Sequence, residues 1–254
     1  MADMLLSALR FDYGVGLLSA GHSHWGEQFI KQNTTSMSGL GCFGIRHRYG
    51  DVPKLNLNRA RTTATDAPTI DVYWVSDTGG CLLLIAFMHS QWNNWKVPCQ
   101  LRIFVHSDKS NAYATEIKVS NMVRQFRINV SSVQAVDMHS EPSAASLGQF
   151  PDVFEGESEP IPSMKSEWNR RRTKQHLNIG EAIRQHSLTS TFVYATLPYP
   201  ELTKVESMGW QHWVDAITGD GGEGEKQLTR EEYFNRPPIF MLRGNQRNVL
   251  TYFA

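Results

Sequence analysis

The chain has 254 residues, with 25 Lys+Arg balanced by 25 Asp+Glu and a pI near 7.1, so no global field draws it onto nucleic acid or an anionic membrane. Its 41% hydrophobic content is ordinary for a globular protein, and no stretch approaches the roughly 20 apolar residues of a membrane-spanning helix. Cys42, Cys81 and Cys99 are odd in number and show no C-x-x-C spacing, which argues against a disulfide framework or a cysteine zinc site and for reduced thiols in a cytosolic compartment.

In chain order, residues 4–11 carry apolar side chains at helical spacing and residues 13–18 read as a short strand. The opening MADMLLSALRFD has no basic segment followed by a long apolar core, so it is not read as a secretory signal. Residues 1–20 therefore read as a helix and strand without a domain of their own. Residues 21–68 turn to Gly, Ser, Thr, Asn and Arg without a period and are expected to be a flexible connector, with a local turn around Cys42 to Arg48.

The stretch TIDVYWVSDTGGCLLLIAFMHSQWNNWKVPCQLRIFV, residues 69–105, is the one that the remainder is organised around. Its β-branched and aromatic start predicts a buried strand, which Asp77-Thr78-Gly79-Gly80 stops. The uncharged run from Cys81 predicts a helix ended by Pro98, and Gln100 to Val105 a second strand, parallel to the first by a crossover connection. Residues 112–126 predict a helix and 127–136 a strand, so the unit repeats. Residues 139–165 concentrate Pro, Ser and Glu and are expected to be a disordered insertion, with Ser143, Ser146, Ser158 and Ser163 accessible to phosphorylation.

A helix is predicted over 166–186, a strand over 191–197 stopped by Pro198, and a helix over about 202–217 with Trp210, Trp213, Val214 and Ile217 on one stripe. Thr229 and Glu232 have capping-box spacing. Residues 239–242 and 249–253, separated by RGNQRN, predict a closing antiparallel hairpin. The fold class is thus α/β, a mostly parallel twisted sheet flanked by helices, with its main lobe over 69–254.

Several short patterns point to chemistry, and each has a plainer explanation. Asp77, Gly79 and Gly80 lie between strand and helix, where dinucleotide sites place their glycines, but G-x-G-x-x-G spacing is missing. A carboxylate about 4.5 Å from a phosphate at an effective dielectric of ~20 costs roughly 3 to 4 kcal/mol, whereas Asp77 as a helix N-cap stabilises by about 1 kcal/mol. The cap is the favoured reading, and Asp77, Gly79 and Gly80 stay as weak ligand candidates.

In GLLSAGHS, residues 16–23, His22 stands where a phosphate loop needs lysine, and in Gly21-His22-Ser23-His24-Trp25 the tryptophan replaces the last glycine of a nucleophile elbow. No catalytic residue is assigned on Ser23. His22 and His24 have no acidic or cysteine companions in sequence, so no metal ligands are assigned. The basic run Arg170 to Lys174 reads as a solvated face, and 220–225 lacks calcium-loop ligand spacing.

Taken together, TIDVYWVSDTGG with the helix and LRIFV after it, FDYGVGLL, RTKQHLNIGEAIRQHS, TFVYATLP and the ending PPIFMLRGNQRNVLTYFA resemble, in order, blocks of the cytosolic C-terminal region of the cation-chloride cotransporters. The ending and IGEAIRQHS are more similar to the sodium-coupled branch. Tyr73 stands where the family usually has the first of the two tryptophans of IDVWW.

The resemblance implies a lobe related in architecture to universal stress proteins, without catalysis and with no cofactor assigned, and makes residues 1–20 the remnant of an upstream α/β lobe. It also implies homodimerisation, and a transmembrane sodium, potassium and chloride symporter as the partner on whose cytosolic face the lobe sits. It brings neither membrane insertion of this chain nor nucleic-acid binding. Two other functions remain in play: a nucleotide-sensing domain of universal-stress type, and, more remotely, an α/β-hydrolase using Ser23.

Overall fold

Runs of β-branched and aromatic residues separated by apolar helical stretches lead to alternating strands and helices, and a computed structural model shows them stacked into one sheet. The structure describes residues 15–19, 44–45, 67–75, 80–91, 97–148, 167–199, 207–219 and 236–244. The elements run β1 (Val15–Ser19), β2 (Gly44–Ile45), β3 (Thr69–Trp74), α1 (Cys81–Ser90) and β4 (Gln100–His106). A short 3-10 helix, Lys109–Asn111, leads into α2 (Ala112–Gln125), then β5 (Ser132–Val136) and the four-residue α3 (Ala144–Leu147). The chain continues through α4 (Glu167–His186), β6 (Phe192–Thr196), α5 (Ser207–Thr218) and β7 (Ile239–Arg243).

The seven-stranded sheet has the order β2-β1-β7-β6-β3-β4-β5. Strand β3 pairs in parallel with both β4 and β6, β4 with β5, and β6 with β7. From β3, in mid-sheet, the chain winds outward to β5 and then crosses to the other side of β3, the doubly wound arrangement whose ligand crevice lies at the carboxyl ends of the two strands where winding reverses, here β3 and β6.

Successive strand residues face opposite sides, and the core divides accordingly. Ile70, Val72, Ile103 and Val105 pack with Leu82, Leu83 and Ala86 of α1 and Val123 of α2. On the opposite face Tyr73, Phe104, Val193 and Ala195 pack with Leu177 and Ile183 of α4 and with Trp213 and Ile217 of α5. Gly180 lets α4 and α5 approach closely: a Cβ built there falls 2.2 Å from the Ala216 carbonyl oxygen.

Several expectations change on this frame. The strand assigned to an upstream lobe is in the main sheet: β1 pairs antiparallel with β7 from Val15↔Arg243 to Ser19↔Ile239, and Leu17 joins the core. β2, inside the expected connector, pairs in parallel with β1. Both sides of β7 are thus taken, by β1 and β6; the antiparallel partner of β7 is β1, and residues 249–253 of the expected hairpin lie outside the described residues.

Helix α1 ends at Ser90, well before Pro98. β5 begins at Ser132 because Arg127, at φ 57, turns the chain after α2 and the Ile128 N–H folds back onto the Val123 carbonyl at 3.2 Å.

The first part of the expected disordered insertion is docked on α4. The Glu181 carboxylate accepts from the Ser143 N–H at 2.9 Å and from its hydroxyl at 2.6 Å, and the Lys174 ammonium donates to Glu141 at 2.6 Å. Ser146 is 3% exposed and accepts from Arg184, so it is not the open phosphorylation site expected of it. Ser158 and Ser163 lie outside the described residues, as does the Thr229/Glu232 capping box.

Candidate functional site

At the carboxyl end of the sheet, the turn between β3 and α1 sits where such folds bind ligands. Of the three candidates, Asp77 and Gly79 lie outside the described residues and Gly80 is placed. Gly80 is the N-cap of α1, at φ 72 and ψ 8. The N-cap position falls on Gly80: the left-handed backbone that ends the turn suits a residue without Cβ, and the Gly80 carbonyl takes the first helical bond, from Leu84 N–H at 3.0 Å.

At the amino end of the strands, Asp71 and Arg102 face each other in the β3–β4 register. Asp71 is 0% exposed, and a buried carboxylate must be paired and hydrogen-bonded to be tolerated. Arg102 meets it with both arms, Nε to Oδ1 and Nη2 to Oδ2, each at 2.7 Å. The Ser187 and Ser190 hydroxyls each donate to Oδ2 at 2.5 Å.

Arg102 Nη2 also donates to the His186 carbonyl, and Tyr73 donates its hydroxyl to the Ala182 carbonyl at 3.0 Å while lying 2.8 Å from the Ser187 hydroxyl. Burial, then the nearby Asp71 charge, pushes the Tyr73 phenol well above its usual range, while hydrogen bonding to Asp71 raises the Arg102 guanidinium further. The serine hydroxyls spend their protons on a carboxylate that Arg102 already neutralises. The cluster therefore fastens the α4–β6 turn to the middle of the sheet, and among its members there is no base to activate a nucleophile.

A third group gathers at the carboxyl ends of β4 and β5. His106, the last residue of β4, meets His139 with ring centroids 4.1 Å apart, and His139 Nδ1 lies 3.9 Å from Asp108 Oδ1. Burial first, then His139, lowers the His106 pKa.

Deeper in the interior, His176 stacks at a tilt on Trp213, whose indole N–H donates to Thr173 Oγ1 at 2.9 Å. Burial, then Arg172, lowers His176 to about 3. His89 lies 2.9 Å from the Tyr194 hydroxyl, and burial lowers it to about 4.

Other sequence candidates are dispersed or not placed. His22, Ser23 and His24 lie outside the described residues. The basic run of α4 splits up: Arg172 lies over the Trp168 ring at 5.4 Å and Lys174 holds Glu141. Sequence reasoning missed the Asp71–Arg102 fastening and the His106, Asp108 and His139 group. Among the described residues no helix is long and apolar enough to cross a membrane.

Comparison with known proteins adds lineage to this geometry. The family profile of "Solute carrier family 12" matches residues 56–254. Solute carrier family 12 member 3 of Pseudopleuronectes americanus is 26% identical over 208 residues, which are 73% of this chain and 19% of that protein. Member 2 of Homo sapiens is 24% identical over 206 residues, again 73% of this chain and 16% of the relative. Member 1 of Mus musculus is 23% identical over 207 residues, 73% of this chain and 17% of the relative. The matched stretch spans less than a fifth of each of these relatives.

Proposed function

This chain belongs to solute carrier family 12, the cation-chloride cotransporters whose blocks its sequence resembles, and from that premise we propose that it is the non-catalytic regulatory and dimerisation domain of a sodium-coupled cation-chloride symporter. In this reading it sits on the cytosolic face of the membrane, joined to a transmembrane transport domain, and moves no ion itself. The observation that carries the reading is that the family profile, residues 56–254, takes in the whole parallel sheet from β3 to β7. The Asp71 cluster supports it, because its polar groups hold elements together and leave none poised for bond making.

The test is to express the parent transport domain with and without this chain and to measure chloride-dependent sodium and potassium uptake alongside oligomeric state by light scattering. Uptake that needs the chain, and a purified chain at twice its 28.8 kDa mass, are the expected results. Unchanged uptake and assembly without it overturn the reading.

A nucleotide-sensing role is the second reading, favoured by one observation: Gly80 opens α1 with a left-handed backbone at the strand where winding reverses. Calorimetric titration with ATP and ADP decides it, with binding that disappears in Asp77→Ala or Gly79→Val supporting this role and no heat ruling it out.

A further inference from the structure

We propose that His106, Asp108 and His139 form a binding site for a divalent transition-metal ion of the zinc class at the carboxyl ends of β4 and β5. One ligand atom from each lies within 4.8 Å of the other two. Around a tetrahedral ion with bonds near 2.0–2.1 Å, neighbouring ligand atoms sit roughly 3.4 Å apart, so the group has to close by about an ångström. The two side chains that must move are those able to, Asp108 being 66% and His139 55% exposed. Two imidazoles with one carboxylate select zinc, cobalt, nickel or copper over calcium and magnesium, which prefer all-oxygen shells.

The backbone beneath the ligands is held from several sides. His106 ends β4 in register with Val136 of β5. The segment carrying His139 is gripped by Asn178 of α4, whose side-chain amide donates to the Met138 carbonyl at 3.0 Å and the Ser140 carbonyl at 2.7 Å. The His139 N–H donates to Asp137 Oδ1 at 3.0 Å, and Met138 beside it is fully buried. The Asp108 carbonyl accepts from the Asn111 N–H at 2.9 Å, which fixes the turn that presents its carboxylate. Ligands mounted on strand ends and pinned turns need little reordering to bind.

The His106 ring also has a partner that orients it. Its Nδ1 accepts from the Met138 N–H at 3.3 Å, so the neutral ring carries its proton on Nε2 and a lone pair on Nδ1. That contact is long and yields readily to an ion. A bound ion would tie the β4–α2 turn to the β5–α3 segment. Three protein ligands leave a fourth coordination position for water.

Calorimetric titration of the full chain with zinc chloride, and the visible ligand-field spectrum of the cobalt complex, test this. One zinc per chain is expected, with affinity falling at least about 10- to 100-fold in each of His106→Gln, His139→Ala and Asp108→Asn, because losing a ligand costs no less than losing one of the outer partners that orient ligands. His22→Ala/His24→Ala, which removes the H-x-H pair, is expected to leave the affinity unchanged. His139→Ala changes an exposed side chain, so its metal-free melting curve should overlay the wild type and separate loss of ligand from loss of fold. No zinc heat with the wild-type chain, or undiminished binding in the His106→Gln/His139→Ala double variant, overturns the site.

Discussion

Arg102→Met and Asp71→Asn remove opposite halves of the same ion pair, and the structure predicts that they are not equivalent. Arg102→Met takes away both charge-assisted bonds to Asp71 and leaves a carboxylate with 0% exposure facing only the Ser187 and Ser190 hydroxyls. Breaking a buried pair from that side costs about 3 to 5 kcal/mol. Asp71→Asn keeps an oxygen at the Oδ2 position for the two serines and for Nη2, and sets its amide against Nε. One bond is lost, and the guanidinium left behind is 30% exposed and reaches water. That cost is about 1.5 to 3 kcal/mol, the range for a hydrogen bond to a charged group. Urea unfolding followed by far-UV circular dichroism measures both. An Asp71→Asn loss equal to or larger than that of Arg102→Met would refute the argument that burial of the remaining partner sets the cost.

Other consequences follow from the same packing. Gly180→Ala places a Cβ 2.2 Å from the Ala216 oxygen, so α4 and α5 must separate; a loss of about 1 to 3 kcal/mol is expected by chemical denaturation, and an unchanged midpoint would mean that the helices part freely. Burial holds His176 at about 3 and His89 at about 4, below an unfolded value near 6.5, so the unfolded chain takes up the protons first. Their contribution is complete above about pH 6.5 and falls as pH drops toward 4, by up to about 1.4 kcal/mol per pH unit for the fully buried His176. His176→Leu should flatten that slope in melting curves recorded from pH 7 to 5. Deleting residues 1–20 removes the antiparallel partner of β7 and the core residue Leu17, so a lower melting temperature and aggregation are expected; an unchanged melt would place β1 outside the cooperative unit.

Much of this fold was legible because the hydrophobic effect writes itself as periodicity. The stripe of Trp210, Trp213, Val214 and Ile217 marked α5, whose four residues are all buried on one face of the sheet. The uninterrupted apolar run from Cys81 marked α1, which packs against the other face. Boundaries failed where a single backbone angle decides them. Arg127 adopts φ 57 with no glycine to announce it, and the strand predicted from 127 starts at Ser132. β1 was assigned to another lobe because one strand seen alone carries no record of its partner, and that partner, β7, comes more than two hundred residues later.

The fastening at Asp71 was legible and was passed over. A carboxylate inside TIDVYW, a strand read as buried, requires a compensating charge, and aligning that strand in parallel with QLRIFVH sets Asp71 opposite Arg102, the register that the sheet adopts. The serines were hidden, because Ser187 and Ser190 belong to a turn whose approach to β3 depends on β6 pairing beside it.

The His106, Asp108 and His139 group was less visible still. Motif reasoning looks for ligands at short fixed spacing, as in His22 and His24, whereas here α2 and β5 separate two of the three in sequence. What joins them is that parallel strands end on the same edge, so side chains just past β4 and just past β5 become neighbours however long the crossover between them. In a doubly wound sheet, titratable residues at the carboxyl ends of adjacent strands should therefore be compared with one another before any local motif is considered.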